Sequence, residues 1–322
     1  MRYKTVHTMN NLLTAHFRHL STSEKILRIL CIASVFIIFF VICGIISSLL
    51  YYSAPALKQF GLSFLFSRSW NPGTIQFGAL TSIYGTMATT LIASIIALPI
   101  SIMAALYISE FSHPVISRFF GTVIEILSAI PSVIYGLWGL FVLVPVMSSL
   151  VQPLLQALCG SLPFFKGALN GLGILTAGII LAIMIIPFTI NATRQILDKV
   201  PSEIKDASYS LGATQWETIH ALLLRFCSPG ILGTCLLGVS KALGEAVAVA
   251  FVIGNKHIIS LSLFSSGNTI GSTLVNEFVE APDKLHRSAL IELGLVLFII
   301  TVGVHTIARL WLRKINVVSG VE

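Results

Sequence analysis

Six long apolar runs divide this chain, about Ile29 to Leu50, Ile83 to Ile108, Ile126 to Met147, Ile174 to Thr193, Ile231 to Ile253, and Ala289 to Ala308. Each reaches the roughly 20 residues that a helix needs to cross a bilayer's hydrocarbon core. None alternates apolar and polar positions as a half-buried strand does, and no charge falls between Pro72 and Ser109. A chain that crosses lipid must satisfy its backbone hydrogen bonds internally. The pattern therefore predicts an all-α polytopic membrane protein of six transmembrane helices.

Composition agrees: 55% of the 322 residues are hydrophobic and 10% charged, with a mean hydropathy of +0.91. The net charge of +7 gathers in the N-terminal arm, in the segments after the second and fourth runs, and after the sixth. Only Lys58, Arg68, Lys166, Lys256, Lys284 and Arg287 fall on the other side. By the positive-inside rule both termini are cytoplasmic, and the charge needs no nucleic acid to explain it. The first run, at about 22 residues, exceeds a signal-peptide core and follows a long arm, so it reads as a retained anchor. The five cysteines have no metal-binding spacing and read as small core residues.

The expected organisation is a cytoplasmic arm (1–28), a first transmembrane helix (29–50), an outer loop (51–81), a core domain (82–314) containing a polar loop (194–229), and a cytoplasmic tail (315–322). Of the outer segments, one carries Trp70 and the other Glu277; Trp70 either anchors at the headgroup level or meets a soluble partner. Glu125 and Glu292 fall near the ends of runs, where solvent is the expected surrounding.

The polar loop has its own logic. Asp198, Val200 and Pro201 end the fourth run, and Pro201 suits the first turn of a new helix. A short helix over Ser202 to Leu211 follows, with Gly212 placed to end it in the left-handed conformation. Thr214 with Glu217 forms a capping box that starts the next helix. Asp206, Ala207, Ser208, Ala213 and Trp216 complete the segment: the small residues admit another protein's surface, and Trp216 is an aromatic anchor. An ordinary cytoplasmic helical hairpin is the plainer reading of the same residues.

In the fifth run Lys241 and Glu245, four apart, belong to one face of a continuous helix. Charges at membrane depth line a path or pair with each other. Small neighbours, among them Gly233, Gly238 and Gly244, admit close helix packing. No catalytic site is expected: there is no phosphate-binding glycine loop and no metal motif. Ser202 and Lys205 match a Ser-x-x-Lys spacing but read as a solvated helix start.

Asp206, Ala207, Ser208 and Gly212, with Leu222 and Leu224 beyond, resemble the EAA loop of binding-protein-dependent ABC importer permeases. Asp206 stands where that signature has Glu, and Arg225 where it closes on Pro. Blocks at Trp70 to Pro72, Phe77 to Leu80, Tyr84 to Thr86, Ile130 to Leu140, Ala242 to Val249 and Val252 to Asn255 are similar to the PstC-type phosphate permeases within that superfamily. Lys241 replaces an Arg of that family, keeping the charge and losing the bidentate fork.

The resemblance implies an inner-membrane, multi-pass permease subunit of a phosphate importer, with no cofactor of its own. Its implied partners are a PstA-like permease, two PstB-like ATPases that hydrolyse ATP with magnesium, and a PstS-like periplasmic phosphate-binding protein. The segment Asp206 to Trp216 would couple to the ATPase, and Lys241 and Glu245 would border the phosphate path. The alternative is a self-sufficient secondary anion carrier or channel, with Glu245 as its coupling group.

Overall fold

The computed structural model describes residues 22–319, with side chains from 23 to 310. The arm up to residue 21, the last three residues of the tail, and the side chains of Arg313 and Lys314 lie outside the described residues. Six helices are long and apolar enough to cross a membrane: Ser23–Phe60, Leu80–Phe111, Ser132–Cys159, Ile174–Leu197, Gln215–Gly244 and Lys284–Leu310. They are called spans one to six below. The chain divides into two compact units at Tyr52/Ser53. The first, over its described residues, is a helix whose Val35, Phe36, Phe39 and Phe40 are exposed.

In the second unit span four is by far the most buried of the six. Span two packs along it through small residues: Ala93, Ala97 and Ala177 are fully buried, and a Cβ on Gly178 would come 2.5 Å from Ile92 Cγ2. Without a hydrophobic force between helices in lipid, such close backbone approach supplies the dispersion contacts that hold them. Ser101 Oγ ties the pair by donating to the Ile186 carbonyl at 3.3 Å.

Three spans differ clearly from their expected extents, the first because its helix runs on past Leu50, where the outer loop is expected to begin, to Phe60. The third does not begin at Ile126, because Pro114–Ser128 is a separate amphipathic helix that ends three residues before Pro131. Ile130, as the residue preceding a proline, is pushed out of the α region, which separates the two helices. Span three then runs on to Cys159, with π-helical turns at Gly139–Leu143 and Met147–Val151 on either side of Pro145. The fifth does not reach Ile253 unbroken: helix ends at Gly244, Glu245 is extended, and a short helix Val247–Val252 resumes. Glu292 also departs from expectation. It is 2% exposed, and its Oε2 has no hydrogen-bond partner. Glu125 is exposed, as expected.

At the end of span four remote from its junction with the polar loop, three segments converge on Glu277. Trp70 Nε1 donates to Glu277 Oε2 at 2.8 Å, while His257 Nε2 and His286 Nε2 lie 3.2 and 3.0 Å from its two oxygens. Asn268 Nδ2 donates to His257 Nδ1 at 3.0 Å, which leaves the Nε2–H of His257 for the carboxylate. Trp70 stacks on His257, and Phe77 on His286. Trp70 is therefore a buried member of this cluster, not a solitary headgroup anchor.

Burial pushes the Glu277 carboxyl up, but the hydrogen bonds from His257, Trp70 and His286 outweigh it and hold it below its ordinary value of 4.5. A group depressed in the folded state contributes stability above its unfolded value and loses it as pH falls through the folded one. The cluster is thus expected to hold at neutral pH and to loosen on acidification below 4.5. Glu277→Gln should lower thermal stability by about 1–3 kcal/mol, the scale of a hydrogen-bonded charge, and flatten the acid limb of a melting-temperature profile. An acid limb unchanged in the variant would contradict this assignment.

Candidate functional site

The polar loop folds as its residues dictate. Pro201 precedes a helix over Ser202–Ser210, and Gly212 follows in the left-handed conformation at φ 85°. The Gly212 N–H donates to the Tyr209 carbonyl at 2.9 Å and the Ala213 N–H to that of Ser208 at 3.2 Å. This pair of bonds is a Schellman motif, which closes the helix and turns the chain sharply. Thr214 then caps the next helix. Its Oγ1 accepts from the Glu217 N–H at 3.3 Å, and Glu217 Oε2 accepts from the Thr214 N–H at 2.8 Å. Across the corner the Ser208 and Thr218 hydroxyls are 2.8 Å apart. The second helix is span five itself, so the corner joins directly to the membrane domain.

Sequence reasoning missed the fastening of this corner to span two. Lys205 Nζ lies 2.7 Å from Glu110 Oε1, with side-chain exposures of 24% and 9%. Gln215 Nε2 donates to the Glu110 carbonyl at 2.8 Å, and Ser109 Oγ to Asp198 Oδ1 at 3.2 Å. Glu110 thus holds both helices of the corner. The available signal was a lone carboxylate closing a long uncharged stretch; its partner is 95 positions away and not readable from spacing. Below lies an apolar floor that includes Ile108, Leu197, Val200, Ile219 and Leu223.

The outer face is left open. Leu211 is 90% exposed and Trp216 65%, the latter stacked on His220 with ring centroids 5.9 Å apart. Ile204, Ala207, Ser208, Leu211 and Leu222 line a shallow apolar groove. Asp206 is exposed on the same helix, and Ala213 is half-buried at the turn. Asp206, Ala207, Ser208, Gly212, Ala213, Thr214 and Trp216 therefore form one compact element. Arg225, in place of Pro, lies on an uninterrupted stretch of helix just after a π-helical turn at Thr218–Leu223.

Lys241 and Glu245 do not share one helical face, which corrects the expectation. Lys241 is in the last turn of span five, half-buried, with Nζ 4.9 Å from the centre of the Phe188 ring. Glu245 lies past the helix end, and its Oε1 accepts from the Ala248 N–H at 3.1 Å, capping the short helix that follows. Gly271 packs against the break: a Cβ there would come 2.8 Å from the Glu245 carbonyl oxygen. Interrupted helices at membrane depth expose backbone groups that are tolerated only where they face protein or a watery cavity. Of the small residues, Gly238 does make a close approach, 2.9 Å from its would-be Cβ to Thr189 Oγ1, while Gly233 and Gly244 face open space.

The family model described as "Binding-protein-dependent transport system inner membrane component" matches residues 97–317. A phosphate transport system permease protein PstC of Mesorhizobium japonicum is 42% identical over 310 residues, 95% of each chain. One from Pasteurella multocida is 43% identical, covering 88% of this chain and 89% of its own. A probable PstC of Methanocaldococcus jannaschii is 31% identical over 89% of this chain and 93% of its own. Among solved structures, a chain of a bacterial alginate ABC transporter in complex with an alginate-bound periplasmic protein aligns over 91% of this chain and 96% of its own, at 16% identity and a TM-score of 0.62. That likeness concerns the fold alone.

The Glu110 fastening makes a local prediction. Glu110→Gln should leave the spans assembled but speed amide hydrogen exchange across Ser202 to Gly212 by roughly tenfold or more, because a charge-assisted bond is worth about 1.5–3 kcal/mol. Exchange at the parent rate would show that the corner is held by its apolar floor alone.

Proposed function

The chain belongs to the family of binding-protein-dependent transport system inner membrane components, among permeases of the PstC type, and from that premise we propose how it works. It is a multi-pass inner-membrane permease subunit of a phosphate importer. The exposed corner from Asp206 to Trp216 is the surface on which a PstB-like ATPase docks. Beside it a PstA-like permease completes the path, two PstB-like subunits hydrolyse ATP with magnesium below, and a PstS-like protein delivers phosphate from outside. The chain itself does no catalysis. The basic residues near the span ends support a placement of both termini in the cytoplasm.

One observation carries this reading: a double-capped corner, exposed at Leu211 and Trp216, continues through the π-helical turn at Thr218–Leu223 into the span that holds Lys241. Force applied at the corner passes into that span, because the Schellman turn and the capping box fix the direction of the chain between the two helices. Glu110 carries the same displacement into span two. ATP binding shifts the population between outward- and inward-open arrangements, and phosphate passes Lys241 and the break at Glu245. The rival, a carrier coupled through Glu245, has a specific weakness. That carboxylate is already engaged by the Ala248 N–H at the start of the following short helix, which ties it to the backbone.

In proteoliposomes holding the assembled importer and phosphate-loaded binding protein, uptake should require ATP; uptake driven by an ion gradient without the ATPase would sink the proposal. Gly212→Asp should insert normally and lose ATP-coupled transport, since it adds a charge at the docking surface. Full transport in that variant would remove the corner from the mechanism. Lys241→Arg should retain uptake and Lys241→Gln should lose it, and equal activity in both would leave Lys241 a structural residue.

A further inference from the structure

We propose that the cavity at the head of span four is an oxyanion site, where phosphate delivered from outside first meets this chain. The inference deepens the phosphate reading above and rests on it. The cavity has a volume of about 260 Å³, room for an anion with several waters at about 30 Å³ each. It lies at the start of span four, a helix of 24 residues and therefore about 36 Å from the coupling corner that follows its other end.

The lining chemistry selects an anion. Lys166 and Lys256 both face the cavity, and no Asp or Glu does. Neither ammonium makes an ion pair among the described residues. Two serines supply hydroxyl donors. The Ser262 N–H donates to Ser260 Oγ at 3.1 Å, and the Phe264 N–H donates to Ser262 Oγ at 3.2 Å. A hydroxyl whose oxygen already accepts from an amide has its O–H left to give, and among the described residues neither serine gives it to a protein acceptor. Ser265 differs, since its hydroxyl donates to the Ser266 carbonyl. Two cations and two directed O–H groups, with no acid, form a donor set for a tetrahedral oxyanion. A cation placed there would meet two like charges.

The donors are also held in place. Tyr84 Oη donates to the Ser260 carbonyl at 2.6 Å, the Leu263 N–H to that of Phe164 at 2.8 Å, and the Lys256 N–H to that of Gly267 at 2.9 Å. The loop in turn accepts the first amides of span four, from Ile174 to the Ser265 carbonyl and from Leu175 to that of Leu263. Gly167, at φ 146°, brings the loop that carries Lys166 close; a Cβ there would stand 3.2 Å from Ser262 Oγ. The cavity walls are thus rooted on the helix that leads to the motor corner.

A phosphate group reaches such a site either as the free ion or as a lipid headgroup, and the free ion is the occupant proposed. The test uses the assembled importer in nanodiscs of phosphatidylcholine, with an amine-reactive ester and mass spectrometry of each lysine. Inorganic phosphate at ten times its Kd should slow labelling of Lys166 and Lys256 by about tenfold, while Lys58, exposed as they are but outside the cavity, is unaffected. Equal slowing by chloride at matched ionic strength would mean screening and overturn the site. Protection that phosphate does not give but added phosphatidylglycerol does would assign the cavity to headgroups and also overturn it. The double variant Lys166→Gln, Lys256→Gln should lower phosphate uptake by roughly a hundredfold or more, the loss of two charge-assisted bonds at about tenfold or more each, with ATP hydrolysis retained; unchanged uptake would contradict the proposal. Protection without any ATP-driven uptake would sink the importer reading and leave the site, whereas ATP-driven uptake without protection would sink only the site.

Discussion

The close packing of span two on span four is the contact on which the rest of the second unit depends. Lipid is as apolar as leucine, so burying apolar side chains between helices gains little and association rests on dispersion between backbones that approach closely. Ala93, Ala97 and Ala177 permit that approach, and Gly178 permits it against Ile92. Because both faces of the contact are small, it has no slack for one helix to rotate against the other without losing it. Spans two and four therefore move together, and what is fixed to their ends moves with them.

Different chemistry is fixed at the two ends. At one, Glu110 on span two grips Lys205 and Gln215 of the coupling corner, and Asp198 receives Ser109. At the other, the loop that satisfies the first amides of span four carries Lys256 and the serines of the outer cavity. Between them lies the break in span five, where Glu245 leaves the helix and Lys241 rests on Phe188 of span four. Under the proposed function, a motor pulling on the corner would act on spans whose outer end carries the proposed anion site, with the break in span five between the two.

Sequence legibility followed the range of the interaction. Six spans were readable because length and hydropathy are local, and so were the left-handed Gly212 and the Thr214–Glu217 capping box, whose partners lie within three to five residues. The start of span three was misplaced because the apolar run continues across Ile130 and Pro131, and hydropathy does not register a backbone break. The break in span five meets Gly271, which approaches Glu245 and Ala246 from a distant segment, and no spacing within the span reveals it. The Glu110–Lys205 pair and the Glu277 cluster join residues 95 and up to 207 positions apart. Glu292 looked solvated from its place near a run's end, whereas the helix continues past it and buries it.

The central claim, that the Gly212 corner drives the path at the break in span five, is most directly tested by thiol accessibility. In the assembled importer on a cysteine-free background, Gly244→Cys places a thiol where a side chain meets open space. Its reaction rate with an impermeant thiol reagent should change when ATP and magnesium are added, and should stop responding when Gly212→Asp is added. A rate indifferent to ATP in the parent, or an ATP response that survives Gly212→Asp, would contradict the account.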